Sequence, residues 1–302
     1  MLIEKCSHRL SYYDIGSGVR QHSIALPEFP HEFVVDAAQR HAYVGHYGVE
    51  TSGHSGAGGT RVLQIDVAAR TLAREIELAP FNRLHGMQMD ACGRLYALSE
   101  AQGTLLVLDA PTTATGPSAA VTTGGIKSHL FALTRDGQTA YVMNLLSHTV
   151  TRVRPHDATV APLACRPGRK PEGNALSDDE ATLYVSNRWS NTLSAIDTAT
   201  MRVRQETNVR DDPTRIYRYR AGPLLVTHYG DRSLSLFDPH TLQELAHVPM
   251  QARPIALSFH PTLPLAFVSQ DDDRLGYFNM TTLAFDRHIA TGREPDVSHM
   301  LA

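Results

Sequence analysis

Residues 170–203 read KPEGNALSDDEATLYVSNRWSNTLSAIDTATMRV. Three runs in this stretch, Gly173 to Leu176, Leu183 to Ser186 and Thr192 to Ile196, alternate apolar with polar or small residues. That alternation is the period of a half-buried strand. Each run ends in turn-forming residues: Ser177-Asp178-Asp179, Arg188 to Asn191, and Asp197-Thr198. Short strands separated by such turns imply an antiparallel meander, and a fourth strand is expected at Met201 to Glu206.

The unit recurs along the chain. The residue after the Pro171-equivalent position falls at His31, His85, His129, Glu172, Thr214, Ile255 and Asp296, in steps of 54, 44, 43, 42, 41 and 41 residues. A four-stranded propeller blade takes about 40–50 residues. The long first step contains Gly48 to Gly59, rich in Gly and Ser, which reads as an inserted loop. The expected fold is all-β: a seven-bladed β-propeller of four-stranded antiparallel blades. The segment from Pro295 is a first strand without successors, and residues 1–26 supply later strands without a first. Pairing 294–302 with 1–26 completes one blade and removes two exposed sheet edges, so residues 1–302 are expected to form a single domain.

Tyr184-Val185-Ser186-Asn187 followed by Ser190-Asn191-Thr192-Leu193-Ser194-Ala195-Ile196-Asp197 resembles the consensus of the YVTN-repeat β-propeller family, whose members include lactonase-like and quinoprotein-like propellers. By analogy with propellers in general, ligands are expected where the first strand of each blade meets the loop between its second and third strands. Many members are exported. This chain shows no basic region followed by an apolar one at its start, no apolar run of 18 residues, and three widely spaced cysteines, Cys6, Cys92 and Cys165. A cytoplasmic location is therefore expected. The net charge of −3, without basic runs, argues against nucleic acid and against a membrane surface as partner.

Three histidines and a carboxylate, His31, His85, His129 and Glu172, occupy consecutive equivalent positions. With 16 histidines in 302 residues, seven positions should hold fewer than one. Neutral imidazoles suit iron, copper or zinc, so these four residues are the expected ligands of a transition metal ion. Glu172, and Asp296 at the same level, can instead accept the N–H of a ligating histidine. A hydrogen-bonded polar channel is the alternative. The arrangement is similar in kind to the axial histidines and carboxylates of the carotenoid-cleavage oxygenases.

His46-Tyr47-Gly48 recurs as His228-Tyr229-Gly230 where the repeat carries Asn144 and Asn187. His46, His228 and Glu172 are the expected proton-moving groups. Tyr47, Tyr229, Asn144, Asn187, Arg188 and Trp189 are expected to contact substrate, although asparagines at such positions also serve simply to tie a turn. Arg83, Lys127, Arg166, Arg169, Lys170, Arg215, Arg253 and Arg293 precede or open the first strands. Of these Arg83, Lys127 and Arg169 are the expected contacts to a small anionic molecule. The function expected is a metal-dependent enzyme acting on a small anionic metabolite, with a preference for oxidation or oxygenation. A redox-neutral lyase or lactonase, or a non-catalytic binding platform, would fit the same fold.

Overall fold

The computed structural model describes residues 1–301, so of the expected closing strand at 294–302 only Ala302 lies outside the described residues. Twenty-eight strands make seven four-stranded sheets. The chain starts with β1 (Leu2–Glu4), β2 (Arg9–Tyr13) and β3 (Arg20–Ala25). The next blade is β4 (Pro30–Val35), β5 (His41–His46), β6 (Arg61–Asp66) and β7 (Thr71–Glu77), followed by β8 (Leu84–Met89), β9 (Leu95–Ser99), β10 (Thr104–Leu108) and β11 (Ala119–Thr122). Then come β12 (Ser128–Leu133), β13 (Ala140–Asn144), β14 (Thr149–Val153) and β15 (Leu163–Cys165). The quoted stretch supplies β16 (Pro171–Leu176), β17 (Thr182–Asn187), β18 (Thr192–Asp197) and β19 (Arg202–Asn208). The last full blades are β20 (Pro213–Arg218), β21 (Leu224–His228), β22 (Ser233–Phe237) and β23 (Glu244–Pro249), then β24 (Pro254–Phe259), β25 (Leu265–Gln270), β26 (Arg274–Asn279) and β27 (Ala284–Ala290). Finally β28 (Pro295–Ser298) pairs antiparallel with β1, with Leu2 opposite Ser298 and Glu4 opposite Pro295. The architecture is a seven-bladed β-propeller closed by its two ends, as the repeat period required.

Two compact units are distinguishable: Met1–Gln102 with Leu106–Ala120 and the chain from Ala256 on, and Gly103–Leu105 with Val121–Ile255. In the first unit the faces of neighbouring sheets bury apolar side chains against one another. Ile3, Leu10, Phe33, Val44 and Leu63 form one such core, and Tyr43, Val62, Leu84, Leu95 and Leu106 another. In the second unit Tyr141, Met143, Leu183, Val185 and Ile196 do the same, as do Tyr184, Leu193, Ile216, Val226 and Phe237. The alternation read from the sequence is therefore an alternation between two buried faces, which is why the middle strands are buried nearly throughout.

Two backbone devices repeat and position the candidate sites. The residue before the first strand of a blade takes a left-handed conformation at Phe29, Arg83, Lys127, Lys170, Asp212 and Glu294, with φ between 52 and 59°. Immediately after it, the register slips against the second strand. Three residues from Pro30 to Phe33 span the two from His46 to Val44, and the same extra residue occurs after Leu84, Ser128, Pro171, Pro213 and Pro295. Such a bulge frees a side chain from the ladder's alternation and re-aims it.

The last residue of the second strand in each blade is polar: Glu4, His46, Ser99, Asn144, Asn187, His228 and Gln270. Asn144 shows what the position does. Its Oδ1 accepts from Ser128 Oγ at 2.6 Å and its Nδ2 donates to Thr151 Oγ1 at 3.0 Å, tying the first, second and third strands together. Gly125 lies so close over it that an added Cβ would fall 2.1 Å from Asn144 Cγ. Asn187 likewise donates to Thr192 and Ser194 at 3.0 and 2.9 Å. Replacing Asn144 by alanine strands buried hydroxyls, so a loss of about 1–3 kcal/mol is expected in urea unfolding, whereas Val203→Ala on an outer strand should stay within about 0.5 kcal/mol. Equal midpoints for the two variants would contradict this role.

Candidate metal centre and charged sites

In the first unit the bulges after Pro30 and Leu84 bring two histidines together. The rings of His31 and His85 lie 4.3 Å apart, centroid to centroid. Tyr47 stands edge-on to both, at 5.3 and 5.1 Å, and all three residues are buried. One donor atom from each of His31, His85 and Glu32 falls within 4.8 Å of the others. Glu32 follows His31 directly, and simple strand alternation would send it to the opposite face. The bulge lets both residues share one side.

The surroundings hold this cluster in place. His31 Nδ1 is 2.8 Å from Asp296 Oδ2, a carboxylate that is itself almost wholly buried. Asp296 and Glu294 in turn act on Lys5: burial alone would lower the lysine's pKa, but Asp296 first and Glu294 next raise it, and Lys5 forms an ion pair with Glu294. On the other side Tyr47 donates its hydroxyl to Glu100 Oε1 at 2.8 Å, and Arg83 Nη1 sits 3.7 Å from the same oxygen. Arg83 also donates to the backbone carbonyls of His54 and Gly56 at 2.5 and 2.9 Å, fastening the Gly48–Gly59 insert. Two imidazoles and one carboxylate with a buried acidic neighbour match the ligand chemistry of first-row transition metals.

The second unit gathers charge differently. Glu172 Oε1 lies 3.9 Å from His129 Nε2, and Glu172 Oε2 accepts from Arg188 Nη1 at 2.8 Å. Arg188 grips Asp212 with its other two nitrogens, Nη2 to Oδ2 at 2.7 Å. Burial alone would raise the Glu172 carboxyl, but Arg188 and then His129 bring it down to about 2. The Tyr229 ring receives Arg253 and Arg188 at 4.9 and 6.0 Å. Lys170 and Arg169 lie over Trp189 at 5.3 and 5.7 Å, and Trp189 is half exposed. Burial first, and then the neighbouring Arg188, lower the pKa of Lys170, while Glu172 and Asp212 pull it up.

Of the expected ligands, the structure groups His31 with His85, adds Glu32, and places His129 with Glu172 in the other unit. Glu172 is an ion-pair partner of Arg188, and the carboxylate against His31 is Asp296. Arg188 is engaged at both ends by carboxylates, so contact with a substrate anion would have to displace one of them. Asn144 and Asn187 spend their amides on strand hydroxyls beneath the surface. His46 and His228 occupy that same tying position. An added Cβ at Gly59 would fall 2.2 Å from His46 Cγ, and His228 is fully buried. Burial is the main cause of the lowered pKa of both, to about 4 for His228.

Sequence reasoning missed Glu32, Glu100, Asp212 and Lys5. The signal for Glu100 and Lys5 was present: each follows the last residue of a second strand, as Tyr47, Arg188 and Tyr229 do. In the structure the backbone N–H of Lys5, Glu100, Arg188 and Tyr229 donates to the carbonyl of the left-handed residue before the first strand.

No family model and no curated protein matches the chain. Solved structures do. A functionally unknown protein from Desulfotomaculum acetoxidans superposes with a TM-score of 0.77 at 12% identity, over 97% of this chain and 96% of that one. A chain of the Kuenenia stuttgartiensis hydrazine synthase gives 0.72 at 13%, over 95% and 90%. The dihydro-haem d1 dehydrogenase NirN gives 0.68 at 12%, over 96% of this chain and 62% of that chain. Identities this low show the shared fold and nothing finer.

The His228 imidazole carries a direct test. Its folded pKa of about 4 lies below the ordinary 6.5, so the unfolded chain binds the proton more readily. Stability should fall as pH drops from about 6.5 to about 4, by up to about 3 kcal/mol. In His228→Asn, which restores the residue found at Asn144 and Asn187, that slope should shrink. An unchanged slope in pH-dependent urea unfolding would count against the burial of a neutral imidazole there.

Proposed function

We propose that the chain is a metal-dependent enzyme whose metal is held by His31, His85 and Glu32. The observation that carries this reading is the convergence of those three buried donors within 4.8 Å. Iron or copper at this site would supply redox chemistry, and zinc would supply Lewis acidity. Asp296 Oδ2, 2.8 Å from His31 Nδ1, sets a buried carboxylate beside that imidazole and would strengthen its hold on a cation. Tyr47 packs against both imidazoles, excludes water from that side, and is held by Glu100. Lys5 balances the charge of Asp296 and Glu294.

The proposed substrate is a small anionic metabolite. That preference is supported by Arg83, the cation beside Glu100 and Tyr47 in the same unit as the metal donors. A two-histidine, one-carboxylate set holds non-haem iron in oxygenases and zinc in hydrolases, so the bound metal decides between oxidation or oxygenation, the reading preferred here, and hydrolysis. One of the fold neighbours is named as a dehydrogenase, an analogy at the level of fold alone. The likeness of the Tyr184–Asp197 unit to the YVTN repeat supports a place in that family. Three free cysteines support a reducing compartment and hence the cytoplasm. No helix among the described residues is long and apolar enough to cross a membrane.

Elemental analysis of the purified protein tests the reading. A near-stoichiometric first-row metal is expected, lost in His85→Ala, and bound about 10- to 100-fold more weakly in Asp296→Asn. Iron or copper would point to redox chemistry and zinc to Lewis-acid chemistry. Failure to take up any of these metals on reconstitution would overturn the metal site.

A further inference from the structure

The first unit contains a cavity of about 310 Å³ lined by the beginning of β1, the end of β2, β24–β26 and the residues after β28. None of His31, Glu32 and His85 lines it. Its walls carry four aromatic rings, Tyr12, Tyr13, Phe267 and Tyr277, with Leu275 and Met300 beside them. Phe267 and Tyr277 pack edge to face at 5.2 Å. This volume sits at the small end of ligand pockets, which run from about 300 to 1,000 Å³, and suits a single ring.

The polar groups are few and uneven. Arg70 lies on the turn between β6 and β7, with its backbone carbonyl 3.0 Å from His22 Nε2. Its guanidinium leans over the Tyr12 ring at 5.1 Å and meets no carboxylate among the described residues. His299 Nε2 is buried and has no hydrogen-bond partner among the described residues. Ser258 and Ser298 share one hydrogen bond at 2.6 Å, which leaves each hydroxyl with further capacity. Asp14, the one rim carboxylate among the described residues, accepts both the backbone N–H and the hydroxyl of Ser17 at 2.7 Å, so it already belongs to its own turn. An aromatic chamber whose guanidinium meets only a ring among the described residues favours a ligand that brings a ring and a negative charge.

We propose that this cavity is a second ligand site, separate from the metal centre, for a small aromatic monocarboxylate. The ring lies among Tyr12, Phe267 and Tyr277, and the carboxylate meets Arg70. The inference does not depend on the proposed metal chemistry.

Benzoate is the probe, with benzyl alcohol as its uncharged counterpart, in the full-length protein carrying ¹³C-methyl methionine. Of the 8 methionines only Met1 and Met300 line the cavity. Titration with benzoate should shift those two methyl signals and leave Met87 and Met89, on β8 beside His85, unmoved. Affinity should fall at least tenfold in Arg70→Gln, a turn substitution, and at least tenfold for benzyl alcohol. Ser258→Leu, which fills the cavity without touching the guanidinium, should abolish the shifts. The proposal fails if benzoate does not bind, if benzyl alcohol binds equally well, if Arg70→Gln binds benzoate as tightly as the native chain, or if the shifts appear at Met87 instead. His85→Ala should leave benzoate binding intact, which separates this site from the fate of the metal centre.

Discussion

A β-ladder can hold a side chain on one face or the other, and the candidate chemistry here depends on backbone that escapes this rule. Before each of six first strands a residue other than glycine is held in the left-handed conformation, and just inside the strand an extra residue breaks the register. Left-handed backbone costs on the order of 1 kcal/mol or more at such residues, and it persists only where neighbours fix it. The neighbours are visible: the carbonyls of Arg83, Lys127, Lys170, Asp212 and Glu294 each accept an N–H from the residue that follows a second strand. The two halves of the device thus secure one another, and together they set what faces what at the end of each blade.

Large apolar cores between neighbouring sheets supply the stability that supports these distortions, and buried polar residues direct it. The tying position at the end of the second strand is filled by five kinds of polar residue over seven blades, yet its role is constant where the bonds are clearest. Asn144 and Asn187 join strands through hydroxyls. Glu4, also fully buried, accepts from Ser11, Tyr13, Arg9 and the backbone of Gly292, and these bonds outweigh the burial that would raise its pKa. Charges near the candidate sites are likewise met close at hand, Lys5 by Glu294 and Arg188 by Glu172 and Asp212. Arg169, Lys170 and Arg70 also lie against aromatic rings.

Much of the architecture was legible in the sequence because a blade is a local object: strand alternation, turn residues and a step of 41–54 residues all come from near neighbours in the chain. The closing pair of β28 with β1 followed from counting incomplete blades at the ends. The equivalence of His31, His85, His129 and Glu172 was legible for the same reason. The side a residue faces was not. A bulge adds one residue without leaving a compositional mark, so nothing in the sequence marked Glu32 as a companion of His31. His46 and His228 looked like chemistry because histidine titrates, while their place is one that asparagine, serine or glutamine fills in other blades. Glu100 could have been found by comparing the residue after each second strand rather than the motif around it.

The central claim is that bulged first strands present His31, His85 and Glu32 to a single metal ion. X-ray absorption at the cobalt edge of the Co²⁺-loaded protein reads those ligands directly. The expected spectrum has nitrogen and oxygen neighbours, the outer-shell scattering of two imidazoles per metal, and one imidazole lost in His31→Ala. A spectrum without imidazole scattering, or one unchanged in that variant, would contradict it.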